Sequence, residues 1–441
     1  MADRPLDASV ARELRDALDR AGYRPAELTR LLRGSGSSLA GRAPPLRVAR
    51  LEAQHDPLAT LIRLLVLAQP VDAGRLPVSA ALLERAGLVE RRDGAVSPLA
   101  VLLPYGDLLF AFDRPFAGAD EVISPGVEAE RLAALTPRPR IAAALEIGTG
   151  GGYQALLAAK HAEHVVATDI SARAIAFAAF NTALNGVANV ELREGSFFDP
   201  VDGERFDLVV SNPPYAVSPE SRLVYRDSGL ARDEVSGLVV RGAADALRPG
   251  GFAAVTASWI VADDLLETPR RWLAGRGCDA WIFHIGTESA LAAAVAWNLD
   301  GPEEERAERV MRWLDYYRSE GIESLAYAVL VLRRSEAAQP WLRIVRLPRR
   351  RSGSRAGAHV ERMFRGVDLA DGGPGEPAQG VLLEVRRRWV DGFWEDQEAV
   401  LVCDDGIRFR LPPAETDSAA ARRLVELGLL EPADDAATPG E

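Results

Sequence analysis

Apolar residues recur at helical spacing from the start of the chain. Val10, Leu14, Leu18 and Ala21 fall on one face before Gly22, and Pro25 opens a second stretch through Leu28, Leu31 and Leu32, so residues 4–33 predict two short helices. Residues 34–45, GSGSSLAGRAPP, interrupt the period as a loop. Asp56-Pro57 then opens an apolar helix over 58–67, and 78–86 predicts another that stops at Gly87. Beyond it two apolar stretches meet at Asp93-Gly94, a dipeptide suited to a tight hairpin, and 108–112 reads as a third strand. Helices followed by a hairpin resemble a winged helix, a shape used for nucleic acid, for protein partners or simply for packing. Its candidate recognition helix, VSAALLERAG, carries only Glu84 and Arg85 as charges.

From Asp120 the pattern alternates between short apolar strands and amphipathic helices, which predicts a parallel sheet covered on both faces. The first strand, Ile141–Ile147, runs into Gly148-Thr149-Gly150-Gly151-Gly152, followed by a helix over 153–162. Glycines there allow a tight turn and close approach of the backbone to a ligand, and the positive end of the helix faces the same point. A second strand ends at Asp169, about 20 residues past the glycines, where an acidic side chain typically holds ribose hydroxyls in doubly wound folds. Capping of the helix Ala172–Leu184 is the other role open to Asp169. A third strand leads to Gly195-Ser196-Phe197-Phe198, and a fourth, FDLVVS, stops at Asn212-Pro213-Pro214-Tyr215. The two prolines end the strand and stiffen its tip. Asn212 offers a side-chain carbonyl, Pro213 a backbone carbonyl and Tyr215 a flat ring, a grip for a planar group carrying NH2. Four strand ends thus converge on one crevice.

Composition narrows the class. With 441 residues, 48% hydrophobic and 26% charged, the chain is globular material for two or three domains. The opening residues lack the apolar centre of a secretory signal and no apolar run reaches spanning length, so the expected location is cytoplasmic, with no membrane association. Cys278 and Cys403 stand alone, without a neighbour at ligand spacing, so no metal site or disulfide framework is expected. A net charge of −12 argues against a nucleic-acid binder over the whole surface, although local basic patches remain open.

Glu146-x-Gly148-x-Gly150, Asp169, the GSFF segment and Asn212-Pro213-Pro214-Tyr215 together resemble class I S-adenosylmethionine-dependent methyltransferases of the amino-methylating NPPY branch. The segment after the tip, with Ser228-Gly229-Leu230 and Pro249-Gly250-Gly251, is similar to that of the release-factor glutamine methyltransferases, including archaeal and eukaryotic relatives. The resemblance covers residues 118–335. It implies a Rossmann-like α/β domain with a seven-stranded, mostly parallel sheet, whose last strand, 325–332, is antiparallel. It also implies S-adenosyl-L-methionine as cofactor, bound by Glu146, Gly148, Thr149, Gly150, Asp169, Ile170, Ser196, Phe197 and Asn212, with Asn212, Pro213 and Tyr215 as catalytic residues. Many relatives have an acidic residue where Ser196 stands, which leaves the adenine contact to backbone or to that hydroxyl. Residues 124–128, just before the first strand, read either as part of a lid or as a plain linker.

Residues 1–117 are then an N-terminal helical or winged-helix-like domain, and 336–441 a C-terminal α+β accessory domain. In the latter, Arg343, Arg346, Arg349, Arg350, Arg351 and Arg355 form the most basic patch of an acidic chain. Strands are expected over 382–390 and 399–411, a Gly/Pro-rich loop over 366–380 and a closing helix over 419–427. The helix 303–318 carries Trp313, Tyr316 and Tyr317, either core or substrate-facing. The expected acceptor is a glutamine amide of a translation protein such as a release factor; an exocyclic amine of an RNA or DNA base is the alternative.

Overall fold

The computed structural model describes residues 7–32, 56–114, 118–220, 226–227, 229–299, 302–335, 340–347, 357–369, 381–390, 393–403, 408–411 and Leu427. The N-terminal helices are α1 (Ala11–Arg20), α2 (Pro25–Leu32), α3 (Pro57–Leu65) and α4 (Ala80–Arg85). They start where the local chemistry directs. The Asp56 carboxylate accepts from the Leu58 amide with Pro57 in the first turn, and Ser79 caps α4 through the Leu82 amide. The strands β1 (Val71–Asp72), β2 (Val89–Arg92) and β3 (Ala95–Pro98) form an antiparallel sheet of order β1-β3-β2, with Asp93 and Gly94 both at positive φ in the hairpin turn. Helices followed by a three-stranded antiparallel sheet thus make up residues 11–98 as far as they are described. The stretch 108–112 does not extend that sheet. β4 (Ala100–Tyr105) and β5 (Leu108–Asp113) make a second, separate hairpin, because the Gly106-Asp107 turn lets the run fold back on itself. The predicted loop 34–45 lies outside the described residues.

After α5 (Val127–Leu135), the central sheet is built from β6 (Ile141–Ile147), β7 (Ala162–Asp169), β8 (Val190–Glu194), β9 (Phe206–Ser211), β10 (Leu247–Ile260), β11 (Cys278–Ser289), β12 (Ser324–Arg334) and β13 (Leu342–Arg346). Its order is β13-β11-β12-β10-β9-β6-β7-β8. Pairing is parallel except along β12, which runs antiparallel to both β10 and β11, as expected for the last strand of the catalytic core. The intervening helices are α6 (Tyr153–Ala158), α7 (Ala172–Leu184), α8 (Glu234–Asp245), α9 (Glu267–Leu273), α10 (Ala290–Ala296) and α11 (Glu303–Ser319). Helix α6 is shorter than the 153–162 stretch predicted, since the chain turns at Lys160-His161 and β7 has begun by Ala162.

The sheet has eight strands rather than seven. Residues 342–346, expected in the accessory domain, pair in parallel with β11 from Ala280↔Leu342 to His284↔Arg346. Their Leu-x-Ile-x pattern carries no label saying which sheet it joins, so the boundary at 336 falls too early. The chain forms two compact units: Met1–Glu130 with Arg140–Leu347, and Arg131–Pro139 with Pro348–Glu441. In the second unit α12 (Gly357–Leu369) shows a Val360, Met363, Phe364 stripe of buried residues, so the expected loop from 366 begins inside a helix, and 370–380 lies outside the described residues. β14 (Val381–Val390), β15 (Phe393–Cys403) and β16 (Arg408–Leu411) form an antiparallel sheet in that order, which splits the single strand expected over 399–411. Except for Leu427, the predicted closing helix 419–427 is outside the described residues. No described helix is long and apolar enough to cross a membrane.

No boundary between compact units falls at 117/118. A single core runs from Ala11 through β5 to Phe177, Phe180 and Leu184 of α7. Asn181 and Asn185, one turn apart on α7, substitute for a neighbouring strand along β5. The Asn181 amide accepts from the Ala111 N–H at 2.8 Å and donates to the Ala111 carbonyl at 2.9 Å; Asn185 repeats the pattern on Leu109 at 3.0 and 2.7 Å. Asn181 also donates to the Gly151 carbonyl at 2.9 Å, tying the hairpin to the glycine loop. Phe110 closes the same contact: a Cβ on Gly151 would lie 2.6 Å from its ring. Asn181→Ala leaves three buried backbone groups without that partner and is expected to lower stability by about 2–4 kcal/mol, read as a reduced midpoint in urea unfolding.

Candidate active site

The carboxyl ends of β6, β7, β8 and β9 open onto one cavity of about 770 Å³, within the range of small-molecule and cofactor sites. Its wall includes Gly148, Thr149, Gly150, Asp169, Ile170, Ser196, Phe197, Asn212, Pro213 and the segment 120–126. Nearly every residue expected at the site is therefore brought together, and residues 124–126 line the cavity, with the Pro125 carbonyl held by the Tyr105 hydroxyl at 3.1 Å.

Glu146 organises the loop. One carboxylate oxygen accepts from the Thr149 hydroxyl at 2.6 Å and the Ala155 amide at 2.8 Å, the other from the Gln154 amide at 3.2 Å. Burial pushes its carboxyl up to about 8, against those hydrogen bonds. Its oxygens thus serve the start of α6, and Glu146 lines the cavity together with the loop they brace. Asp169 accepts from the Gly150 amide at 2.8 Å and the Ser171 amide at 2.9 Å, and burial raises its carboxyl above the ordinary range. It does not cap α7, whose cap is Ser171 through the Ala174 amide.

At the end of β8, Gly195 has φ +155 and a Cβ there would meet Pro200 at 2.4 Å, so only glycine fits. Phe197 follows with φ +43, a conformation that costs a bulky residue about 1–3 kcal/mol and is held by Thr168, whose hydroxyl donates to the Phe197 carbonyl at 3.3 Å. The turn thereby brings Ser196 and Phe197 into the cavity wall.

The tip after β9 is fixed through its backbone. The Tyr215 amide donates to the Pro213 carbonyl at 2.8 Å, the Tyr215 carbonyl accepts from the Ser258 hydroxyl at 2.5 Å, and Tyr215 bridges to Asp227. The Tyr215 ring meets Trp297 edge-on, with centroids 5.7 Å apart, and is absent from the residues lining the cavity. Asn212 Oδ1 is buried and has no hydrogen-bond partner; Gln154 Oε1, also on a cavity-lining residue, is in the same condition. A buried acceptor left unpaired costs about 1–3 kcal/mol, so each is suited to receive an N–H or O–H from a bound group. This is the observation by which the wall fits a cofactor and an amine.

Sequence reasoning missed Gln154, Trp297 and the buried pair Arg226–Asp227. The Arg226 guanidinium binds Asp227 at 2.8 Å, Glu220 at 2.8 Å and the Trp297 carbonyl at 3.1 Å. Only the acidic and arginine spacing in 220–227 hinted at it. Ser228 is outside the described residues. Trp313 and Tyr317 are buried, so they are core. Cys278 is buried, with its thiol pushed up to about 11, and no metal-binding cluster occurs among the described residues.

A doubly wound sheet with a switch point between β6 and β9, a glycine loop, an acidic strand end and an Asn-Pro-Pro-Tyr tip define a methyltransferase, and residues 142–291 match a methyltransferase domain family model. The chain is 39% identical over 162 residues to a release factor glutamine methyltransferase of Geobacter sulfurreducens, covering 32% of this chain and 57% of that protein. It is 36% identical over 211 residues to the one of Cereibacter sphaeroides, covering 43% of this chain and 74% of that protein. A ribosomal protein uL3 glutamine methyltransferase of Bradyrhizobium diazoefficiens is 32% identical, over 32% of this chain and 49% of that protein. The chain belongs to the release factor glutamine methyltransferase family. Against most of these relatives the match spans about half of the relative's length.

Proposed function

We infer that the protein transfers a methyl group from S-adenosyl-L-methionine to the side-chain amide nitrogen of a glutamine in a translation protein such as a release factor. The observation that carries this reading is the unpartnered, buried Asn212 Oδ1 at the cavity wall, next to the Pro213 carbonyl. The cofactor supplies an activated methyl on a sulfonium. Gly148, Thr149 and Gly150 would hold its amino-acid end, with Gln154 Oε1 available to a donor; Asp169 would hold the ribose hydroxyls, and Ile170, Ser196 and Phe197 the base.

An amide nitrogen is a poor nucleophile because its lone pair is delocalised into the carbonyl. Asn212 Oδ1 accepts one of its hydrogens, and Pro213, whose carbonyl oxygen keeps a second lone pair beside the Tyr215 amide, accepts the other. Two fixed acceptors hold the NH2 in one orientation, with the lone pair turned to the cavity, and stabilise the positive charge that develops on nitrogen. The Tyr215 ring is turned to Trp297 and away from the cavity lining, so Tyr215 serves the tip through its backbone, which holds the Pro213 carbonyl and is itself held by Ser258.

The base reading has less behind it. Arg91 of β2 pairs with Glu84, Arg85 of α4 pairs with Glu13 of α1, and Arg343 stacks on Trp341. Arg349, Arg350, Arg351 and Arg355 lie outside the described residues. The test is incubation of the protein with tritiated cofactor and lysate from a strain lacking the gene. Label is expected in protein, at N5 of glutamine. Label in nucleic acid, with salt-sensitive retention of the enzyme on RNA, defeats the reading.

A further inference from the structure

β11 and β12 are antiparallel neighbours whose pairing ends at Ser289↔Ser324, a junction that a two-residue turn can close. Residues 290–323, carrying α10 and α11, stand there instead. β11 runs in the same direction as β10 and β9, so this insertion rises from the sheet edge that bears Asn212. Its inner side is joined to the catalytic tip. Ala216 and Val217 share a core with Ala293, Ala294, Trp313 and Tyr317; the Tyr317 hydroxyl donates to the Val217 carbonyl at 2.9 Å, and Trp297 backs Tyr215.

Its outer side carries both exposed apolar residues and acidic ones. Among the described residues seven large apolar side chains are exposed; Ile123 and Ile170 border the cavity, Val127 opens α5, and the other four, Leu291, Val295, Leu299 and Met311, all lie on the insertion. Leu291 and Val295 are one helical turn apart on α10, Trp297, whose ring meets Tyr215, closes that helix, and Leu299 follows two residues later. Glu304 and Glu308 are exposed on the helix face that carries Met311. Within 290–323 acidic residues outnumber arginines two to one, and Arg309, Arg312 and Arg318 are paired with Glu305, Glu220 and Asp315. Such a rim repels a phosphate backbone and attracts a basic protein surface.

We propose that the α10–α11 insertion is the docking surface for the protein methyl acceptor, and that it takes an apolar patch with a basic rim beside the methylated glutamine. The proposal rests on the protein-glutamine reading. Its test compares the wild type with the double variant Leu291→Glu/Leu299→Glu, using a whole release factor and a short peptide carrying its glutamine as acceptors. For the whole protein KM is expected to rise at least about tenfold, while kcat and the peptide's KM stay within about twofold. An unchanged KM for the whole protein overturns the docking surface and leaves the glutamine reading standing. No label in either acceptor with the wild type overturns both. Light scattering supplies the remaining arm: a dimeric wild type, a monomeric variant and an unchanged KM mark the face as a self-association surface, which also defeats the proposal.

Discussion

Asn212→Ala is expected to lower methyl transfer about 10²–10³-fold, the cost of removing one preorganised group that stabilises developing charge. Asn212 Oδ1 has no partner within the protein, so its loss disturbs no internal hydrogen bond, and the loop and Asp169 that would hold the cofactor keep their own contacts. Cofactor affinity by calorimetry should therefore survive. Asn212→Asp makes a sharper control: it keeps an acceptor and adds negative charge beside the acceptor amine, so it should retain more turnover than alanine. Full activity of Asn212→Ala with tritiated cofactor removes this residue from the chemistry.

The second large effect is expected at Asp169. Hydrogen bonds to a charged group contribute about 1.5–3 kcal/mol, so Asp169→Ala should weaken cofactor binding roughly 10–100-fold. Two losses contribute, because the carboxylate also holds the Gly150 and Ser171 amides. Asp169→Asn separates them: an amide oxygen can still accept from Gly150, while the charge is gone. At saturating cofactor the turnover of both variants should approach the wild type. Normal affinity in Asp169→Ala would mean that the ribose is held elsewhere.

The glycine loop, Asp169, the Ser196-Phe197 turn and the Asn212-Pro213-Pro214 tip were legible in the sequence because each is a strand end whose chemistry lies within a few residues. Their meeting in one cavity follows from the handedness and order of parallel βα units. Tyr215 was legible as part of the motif but not in its position, since its ring direction depends on Trp297, more than eighty residues later. Gln154 was overlooked for another reason: an amide in the first turn of a helix looks like an ordinary surface residue until its oxygen is found buried without a partner.

A doubly wound sheet, with a glycine loop, an acidic strand end and a proline-stiffened tip at its carboxyl edge, could be read from the chain alone. Hydrophobic period, glycine spacing and proline placement are local quantities, and those features depend on little else. The three-dimensional fold was needed to see that Leu342–Arg346 completes the sheet, that Asn181 and Asn185 serve as a strand for β5, and that α10 and α11 pack against the residues after the Asn-Pro-Pro-Tyr tip. Each of these joins segments distant in sequence. Their partners are selected by shape and by the need to satisfy buried backbone groups, and no pattern within either segment records the other.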